Sequence, residues 1–356
     1  MYPIKRSNNT PTELSLISDF LTRDFHGFTK DDLFIMQFVP KAWGQDIAAL
    51  SNMAEALLTL CKCGCLEQTD AAIYITRVAD CAMHSRVRPF SKPLDQQQDL
   101  GRYGYYLEHL NIILGCYQAL SDNRFYKLNK RITEHLVALT LAESNLHAPL
   151  LPHVRMRWSA DQAAIIYSVW LFDQNNKTSL ATKLIEPWLS YMRTYRTEPK
   201  TGLFQTEALG VKAYSDQPRG CSLAYLIYYM SHFAPREAEA QWECFKEHMF
   251  QRRLGIWGFR EYLRGYNGKW TPDSGPIVMG TGVAATGLAL KTAAAMRDHD
   301  TFERINRPAT AIIKLLRALQ CIPFLNRLAR LGTDLLATSI KLSADALHLK
   351  HTGESL

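Results

Sequence analysis

Candidate helix starts recur along the chain at a nearly constant spacing, and this period restricts the fold more than any other feature. Each start combines a small or capping residue with a Pro, Trp or charged neighbour, which is typical of a helix N-terminus. The starts lie at Gly44, Gly101, Ser159, Gly220 and Gly275, and one further period reaches Gly332-Thr333-Asp334. Because the spacings are 55 to 61 residues, the chain is expected to repeat one structural unit six times.

The predicted unit is a pair of helices with different surroundings. The first helix of a pair is rich in apolar, aromatic and small residues on all sides, which indicates burial. Such stretches are 103–120, 161–172, 222–233 and 277–296. The second helix is amphipathic and carries charged positions, as expected for a helix with one face in water. Such stretches are 123–143, 179–195 and 236–251.

Six such pairs predict an all-α fold of the (α/α)6 toroid class, a six-hairpin barrel in one domain over residues 1–356. The sixth buried helix, near 332–347, has no following partner, so the amphipathic stretch 12–25 is expected to close the ring. An open α-solenoid is the alternative. Solenoid repeats are usually about 33–47 residues long, and the longer period here favours the ring.

The distribution of charge bears on the kind of partner. Lys and Arg total 41 and Asp and Glu total 34, which gives a net charge of +7. Residues 304–350 hold eight basic and two acidic side chains, so the rest of the chain is almost neutral. Nucleic-acid binding needs a basic face that neutralises several phosphates. We therefore expect a small-molecule or glycan substrate as the partner and no nucleic acid.

The basic C-terminal part, 304–350, is amphipathic. Within it, 309–331 alternates apolar residues with Lys and Arg, a pattern that suits contact with an anionic membrane surface. A pair of outer helices with a solvated basic face is the alternative. The sequence shows neither a secretory signal nor an apolar run long enough to span a bilayer. We expect a cytoplasmic protein, with peripheral membrane contact as the further expectation.

The cysteines and glycines predict no metal or cofactor site. Cys61, Cys63 and Cys65 alternate along the chain and cannot share one helix face, and no zinc-type partner spacing follows them. Gly64 is expected at a helix C-terminus. The glycines of 280–287 lack the preceding strand and the following Gly-Lys-Ser/Thr of a phosphate-binding loop.

In a ring of this kind all the buried helices point the same way, so their N-termini gather at one mouth. Helix N-termini favour carboxylates and anions, and convergent polar residues at such a place are the default pocket. Asp161 and Asp273 are the predicted acid and base, and either could instead serve only as a helix cap. Glu108 lies on a buried helix, where a carboxylate must be paired or shifted in pKa. It is the third catalytic candidate, and a core ion pair with an Arg is an equally good explanation.

Further mouth residues are expected to bind substrate. Arg219 precedes Gly220 and could bind a carboxylate or phosphate, although a structural bond to a neighbour explains it equally well. Cys221 follows at a helix N-terminus, which lowers the pKa of a thiol. The remaining candidates are Trp158, Tyr103, Arg157 and Asp46.

Two sets of motifs carry a resemblance to known proteins. The steps Thr201-Gly202-Leu203-Phe204 and Leu254-Gly255-Ile256-Trp257 each follow an outer helix and resemble a step in (α/α)6 enzymes. That fold is used by glycan hydrolases and lyases and by linalool dehydratase-isomerase. The runs W-S-A-D at 158–161, P-R-G-C-S at 218–222 and D-S-G-P-I-V-M-G-T-G-V-A-A-T-G at 273–287 are similar to uncharacterised bacterial toroid proteins.

The resemblance supports the fold more than an activity, and three functions are compatible with the residues. The first is a hydrolase or lyase that acts on a glycan or polyhydroxylated substrate by general acid–base catalysis. The second is a dehydratase or isomerase of isoprenoid alcohols, with an aromatic mouth. The third is a non-catalytic membrane-surface or scaffold protein. A wide cleft with paired carboxylates would favour the glycan enzyme, and a narrow apolar cavity would favour the isoprenoid enzyme. A mouth filled by side chains would favour the scaffold protein.

Overall fold

The computed structural model describes residues 12–353, except 43, 210–216, 267, 321 and 323–325. The described chain is mainly helical, which confirms the all-α prediction. The mostly buried helices are α2 (Gln45–Lys62), α4 (Gly104–Gln118), α6 (Ser159–Asn176), α8 (Gly220–Phe233), α10 (Val283–Ala295) and α13 (Leu335–Thr352). The others are α1 (Thr12–Thr22), α3 (Gln68–Met83), α5 (Tyr126–Leu141), α7 (Thr182–Tyr195), α9 (Pro235–Met249), α11 (His299–Leu319) and the short α12 (Asn326–Ala329).

The two groups of helices differ in burial as their sequences predict. Helix α6 buries nearly every residue from Ser159 to Asp173, so it is surrounded by protein. Helix α9 buries only Ala238, Gln241, Trp242, Phe245 and Met249. These residues recur at three- and four-residue steps and therefore form one stripe on a helix whose other face meets water.

The buried helices contact one another in a closed cycle. Helix α2 packs against α4, α4 against α6, α6 against α8, α8 against α10, α10 against α13, and α13 back against α2. The more exposed helices attach to members of this cycle: α3 to α2 and α4, α5 to α4 and α6, α9 to α8, and α11 to α10. Helix α1 packs against α13, the contact that the sequence predicts for the N-terminal helix.

Six short strands form three two-stranded antiparallel sheets. Strands β1 (Arg157–Trp158) and β2 (Glu207–Leu209) precede α6 and α8. Strands β3 (Phe250–Arg253) and β4 (Ile256–Phe259) form a hairpin after α9, and β5 (Ile277–Val278) and β6 (Thr281–Gly282) form a second hairpin before α10. The two hairpins are in contact, because Arg260, next to β4, bridges to Thr281.

The fifth buried helix begins later than the sequence predicts. The prediction placed a start at Gly275 and a helix over 277–296, but the helix starts at Val283 and the β5–β6 hairpin precedes it. Met279 and Gly280 have φ angles of 51° and 83°. A right-handed helix cannot contain two successive left-handed residues, so the apolar run has to turn back before the helix begins.

A buried charged group joins α10 to α2 inside the cycle. The Lys291 Nζ donates to Asn52 Oδ1 at 2.7 Å and to Glu55 Oε2 at 2.8 Å, and the Tyr228 hydroxyl donates to Glu55 Oε1 at 2.8 Å. Burial lowers the pKa of Lys291, and the Glu55 carboxylate opposes that shift. Each buried charge, that of Lys291 and that of Glu55, is therefore compensated only while the other is present.

None of the helices in the described ranges is long and apolar enough to cross a bilayer.

Replacing Lys291 by Met is expected to lower the free energy of unfolding by about 3–5 kcal/mol, because it leaves Glu55 buried without its partner. Chemical denaturation would measure the loss. Lys291→Met combined with Glu55→Gln should recover much of it, and Lys314→Met at an exposed position should change it by less than about 0.5 kcal/mol. An unchanged stability of Lys291→Met would show that the pair does not hold α10 against α2.

Candidate functional site

The N-terminal ends of all six buried helices line one cavity of about 540 Å³. Its size is typical of small-molecule sites. Each helix contributes a lining residue from its first turns: Gln45 from α2, Tyr105 from α4, Asp161 from α6, Cys221 from α8, Val283 from α10 and Leu336 from α13. The mouth that the sequence predicts therefore exists as a hollow space.

The cavity wall is mainly apolar, with a cluster of polar groups. The polar cluster consists of Asp161, Asp273, Arg219, Tyr105 and Tyr225. The apolar arm, as we call the rest, lies among α10, α11 and α13 and is lined by Leu288, Ile305, Ala309, Ile312, Ile313, Leu316 and Ile340. Two charged residues of α13 also line the cavity but have partners: Asp334 caps its own helix through the Ala337 N–H at 2.9 Å, and Lys341 pairs with Asp345 at 2.6 Å.

Glu108 and Asp161 form a buried carboxyl pair. Glu108 on α4 is fully buried, and neither of its oxygens receives a hydrogen bond from a donor group of the described protein. Its acidic neighbour is the Asp161 carboxyl, whose charge acts on the pKa of Glu108. Burial first, and then the charge of Asp161, raise the pKa of Glu108 well above its usual range. Burial and the neighbouring charge therefore both favour the protonated form of Glu108.

Asp161 reaches the cavity with a strongly shifted acidity. Burial, with the charge of Asp273 as the second cause, raises the pKa of Asp161 to about 7, while the backbone N–H of Asp161 and then the neighbouring Glu108 oppose the shift. A carboxyl with this pKa is available both as acid and as base near neutral pH. This is the property that the prediction of Asp161 as a catalytic group requires.

Asp273 faces the same cavity from the loop before β5. It does not cap α10, because that helix starts at Val283, and its carboxylate accepts no hydrogen bond from the described residues. The Asp273 side chain meets solvent inside the cavity, but protein atoms surround it and remove much of its hydration. This loss of hydration raises the pKa of Asp273, and the Arg219 guanidinium opposes the shift.

A hydrogen-bonded chain of neutral groups lies beside the carboxyl pair. The Ser51 hydroxyl donates to the Ala48 carbonyl at 3.0 Å, so it accepts from His109 Nδ1 at 2.7 Å. His109 Nε2 then accepts from the Tyr225 hydroxyl at 3.3 Å. Burial, followed by the charge of Lys291, lowers the pKa of His109 to about 3. The imidazole is therefore neutral and fixes the direction of the Tyr225 hydroxyl.

Tyr105 completes the polar wall. Its hydroxyl donates to the Gly44 carbonyl at 3.3 Å, and its ring packs edge-on against His109 at 4.8 Å between centroids. Burial, followed by the charges of Asp161 and Glu108, raises the pKa of Tyr105 well above its usual range. The phenol therefore stays neutral next to the carboxyl cluster.

Arg219 is held by a buried partner. Its Nε donates to Glu261 Oε1 at 3.0 Å and its Nη2 to Thr271 Oγ1 at 2.8 Å. Glu261 also accepts the Cys221 backbone N–H at 3.3 Å and the Cys221 thiol at 3.0 Å. The structure thus shows the bonded alternative for Arg219, although Arg219 still lines the cavity.

The expected low pKa of Cys221 is wrong. Burial, and then the neighbouring Glu261 carboxylate, raise the pKa of this thiol well above its usual range. The helix N-terminus favours a thiolate, but the loss of hydration and a negative neighbour outweigh it. Cys221 lines the cavity as a thiol that donates a hydrogen bond.

The remaining predicted residues separate into two groups. Trp158 lines the cavity. Arg157 is buried and bonds to the Val154 carbonyl at 3.1 Å and to Glu143 at 3.4 Å. Tyr103 packs edge-on against the ring of Phe90, and Asp46 accepts the Ile47 N–H at 2.9 Å. Tyr103, Arg157 and Asp46 are absent from the cavity wall, and their roles in binding stay predictions.

Sequence reasoning did not select several residues in the polar cluster or bonded next to it. Tyr105 and Tyr225 belong to aromatic stripes that are typical of helix cores, and His109 lies among apolar neighbours. Glu261 stands between Arg260 and Arg264, a pattern that suggests a loop salt bridge. The sequence signal for this part of the site was that Glu108 and His109 lie on a helix expected to be buried, since buried ionisable groups need partners.

Comparison with known proteins adds no family to this geometry: the chain matches no protein-family model and no curated protein sequence. Within the described ranges, no group of three His, Cys, Asp or Glu side chains could hold a metal ion.

The pH dependence of stability is expected to change when Asp161 is replaced by Asn. A carboxyl whose pKa is raised by folding binds its proton more tightly in the folded state, so stability falls as the pH rises from the unfolded pKa, near 3.8, through the folded value of about 7. Asp161→Asn removes this loss. Its advantage over the wild type should grow by about 2–4 kcal/mol between about pH 4 and pH 8.

Urea denaturation at both pH values would measure this effect, with Glu134→Gln on the exposed face of α5 as the control. A constant difference between Asp161→Asn and the wild type would mean that Asp161 ionises as it does in the unfolded chain.

Proposed function

We propose that the chain is a single-domain (α/α)6 toroid that acts as an enzyme on a hydrophobic alcohol, removing or relocating its hydroxyl group by acid–base catalysis. The closed cycle of buried helices and the attachment of α1 to α13 support the ring. The observation that carries the activity is the Glu108–Asp161 carboxyl pair, with Asp273 in the same cavity, next to a predominantly apolar arm.

The carboxyl groups supply the proton transfers of such a reaction. Asp161 in its protonated form donates to the substrate hydroxyl, and the carbon–oxygen bond breaks as water leaves. Asp273 accepts the proton from the neighbouring carbon, which leaves an alkene. Glu108, held in its protonated form, favours the ionised form of Asp161 and so helps Asp161 to release its proton. Two carboxyls held at different pKa values are the arrangement that this division of roles needs.

The wall around the carboxyls suits a substrate that develops positive charge on a carbon atom during the reaction. Trp158, Tyr105 and Tyr225 line this part of the cavity, and aromatic faces attract positive charge. Tyr105 and Tyr225 remain neutral phenols, so they stabilise a cation without trapping it as a phenolate would.

The apolar arm suits a hydrocarbon chain. Its walls on α10, α11 and α13 are aliphatic, and burying a CH₂ group there is favourable by about 0.8 kcal/mol. A sugar of the same volume would lose the hydrogen bonds that its hydroxyls make with water. This contrast is why the isoprenoid-alcohol function is preferred over the glycan function.

A glycan hydrolase or lyase remains the second candidate, because one observation favours it. Trp158, Trp257 and Trp270 all line the cavity, and indole rings stack on sugar rings. A non-catalytic scaffold has less support, since its mouth should be filled by side chains whereas this one encloses about 540 Å³.

Isoprenoid alcohols of increasing chain length are expected to give alkenes or rearranged alcohols when incubated with the purified protein, detected by gas chromatography with mass spectrometry. Asp161→Asn and Glu108→Gln should each lower kcat/KM by about 10²–10⁴-fold, and Glu134→Gln should not. The wild-type kcat/KM should fall as the pH rises above about 7, because Asp161 then loses the proton it donates.

Parallel incubation with oligosaccharides separates the two candidates. Release of sugars or unsaturated sugars that depends on Asp161, without turnover of any alcohol, would replace the proposal by the glycan function. Turnover that survives loss of both Asp161 and Glu108 would contradict the carboxyl mechanism itself.

Gly287 is expected to limit the length of the hydrocarbon chain. It lines the cavity on α10, and a side chain placed there would meet open space rather than protein. Gly287→Leu should fold normally and move the preference towards shorter alcohols, with Gly287→Ala intermediate. Competition between a short and a long alcohol would measure the shift, and Ala311→Leu on the exposed face of α11 is the control. An unchanged preference would mean that the chain does not lie along α10.

A further inference from the structure

Two hairpins at the cavity have turns with an unusual composition. Both are two-residue turns in which the two residues have positive φ: Leu254 and Gly255 at 47° and 82°, and Met279 and Gly280 at 51° and 83°. These are the angles of a type I′ turn, whose first position is dominated by Asn, Asp and Gly. Leu and Met have no side-chain group that offsets the strain of that position.

The same two side chains project into solvent. Leu254 is 85% exposed and Met279 is 60% exposed. In water, the strained backbone of such a residue and the exposure of its apolar side chain are both unfavourable. The combination occurs twice, in two hairpins that contact each other, so it indicates a common apolar environment for both turns.

Further exposed apolar residues lie at the cavity itself. The exposed residues that also line the cavity are Phe38, Ile256, Trp270, Val278, Val283 and Ile312. We call these six residues, together with Leu254 and Met279, the entrance rim. Soluble proteins seldom gather this much apolar surface at one place unless it meets a partner or a membrane.

The segment 250–283, which holds six of the eight rim residues, exposes several basic side chains. Over residues 250–283 the exposed ionic side chains on the outer surface are Arg252, Arg253, Arg264 and Lys269. The two acids of this segment belong to the site: Glu261 is buried with Arg219, and Asp273 faces the cavity. Exposed apolar residues among cations complement an anionic lipid interface, where each nearby Lys or Arg adds to the attraction.

We propose that the entrance rim docks on the surface of an anionic membrane, with Leu254 and Met279 inserted at the level of the headgroups. The apolar arm then opens towards the bilayer, and a hydrophobic substrate enters without crossing water. The docking stands on the rim itself, and only the entry of substrate rests on the function proposed above. The surface differs from the expected 309–331 segment, of which residues 321 and 323–325 lie outside the described residues and only Ile312 belongs to the rim.

Vesicle sedimentation tests the docking directly, with the full chain and no substrate. The protein should bind vesicles of phosphatidylcholine with phosphatidylglycerol and bind pure phosphatidylcholine much more weakly, with binding that falls as salt is added. The double variant Leu254→Asn with Met279→Asn should lose affinity by about tenfold for each side chain. Asn suits the first position of both turns, so its Tm should not fall below that of the wild type.

Leu141→Asn, at the exposed C-terminus of α5, is the matched control and should bind like the wild type. Asp161→Asn should also bind fully, so a failed activity leaves the docking result intact. Equal binding to both kinds of vesicle, or a double variant that still binds, would overturn the proposal. Self-association in solution that the double variant abolishes, without vesicle binding, would assign the rim to a second copy of the chain.

Discussion

The closed cycle of six buried helices is the constraint on which the rest of the structure depends. Each helix of the cycle is covered by its two neighbours and by a more exposed helix or hairpin, so its residues can be apolar on nearly all sides. Where a charge does occur inside, as with Lys291, it is placed opposite Glu55 and Asn52. This pair fixes α10 relative to α2 across the cycle, since removing either member would leave the other unsatisfied.

The same arrangement produces the unusual chemistry of the polar cluster. Bringing six helix N-termini to one cavity provides a field that favours negative charge. Burial acts in the opposite direction, and for Glu108 and Asp161 it is the larger effect, because both have raised pKa values. Glu261 shows the same balance: burial raises its pKa, while Arg219 and Cys221 oppose the shift. The cavity thus holds a carboxyl, Asp161, whose pKa lies near neutral pH.

The cavity remains hollow because small residues stand where large ones would fill it. Gly287, Ala284 and Ala309 line the space between α10 and α11, and the C-terminal half of α11 turns its apolar stripe towards that space. Beyond Ile305, α11 has no buried residue. An apolar stripe over an empty volume is expected when a ligand, and not the protein, completes the packing.

The sequence by itself determined the kind of helix at each place and the order in which the kinds alternate. Periodicity and capping are local properties, so the starts near Ser159, Gly220 and Asp334 and the C-terminal Gly64 were predictable. The start near Gly275 was not, because two left-handed residues convert an apolar run into a hairpin. Asp161 and Asp273 were selected on their positions near helix starts, and both reach the cavity.

Only the tertiary structure decided which residues meet. Glu108 is on α4 and Asp161 on α6, and Arg219 is bonded to Glu261, which follows two helices and a hairpin later in the chain. Local sequence suggested a low pKa for the Cys221 thiol, and burial together with a carboxylate from that distant segment raised it instead. Burial and charge act through space, over distances that separation along the chain does not encode. The fold class is therefore readable from one sequence, whereas the acidity of each group depends on its neighbours in the folded chain.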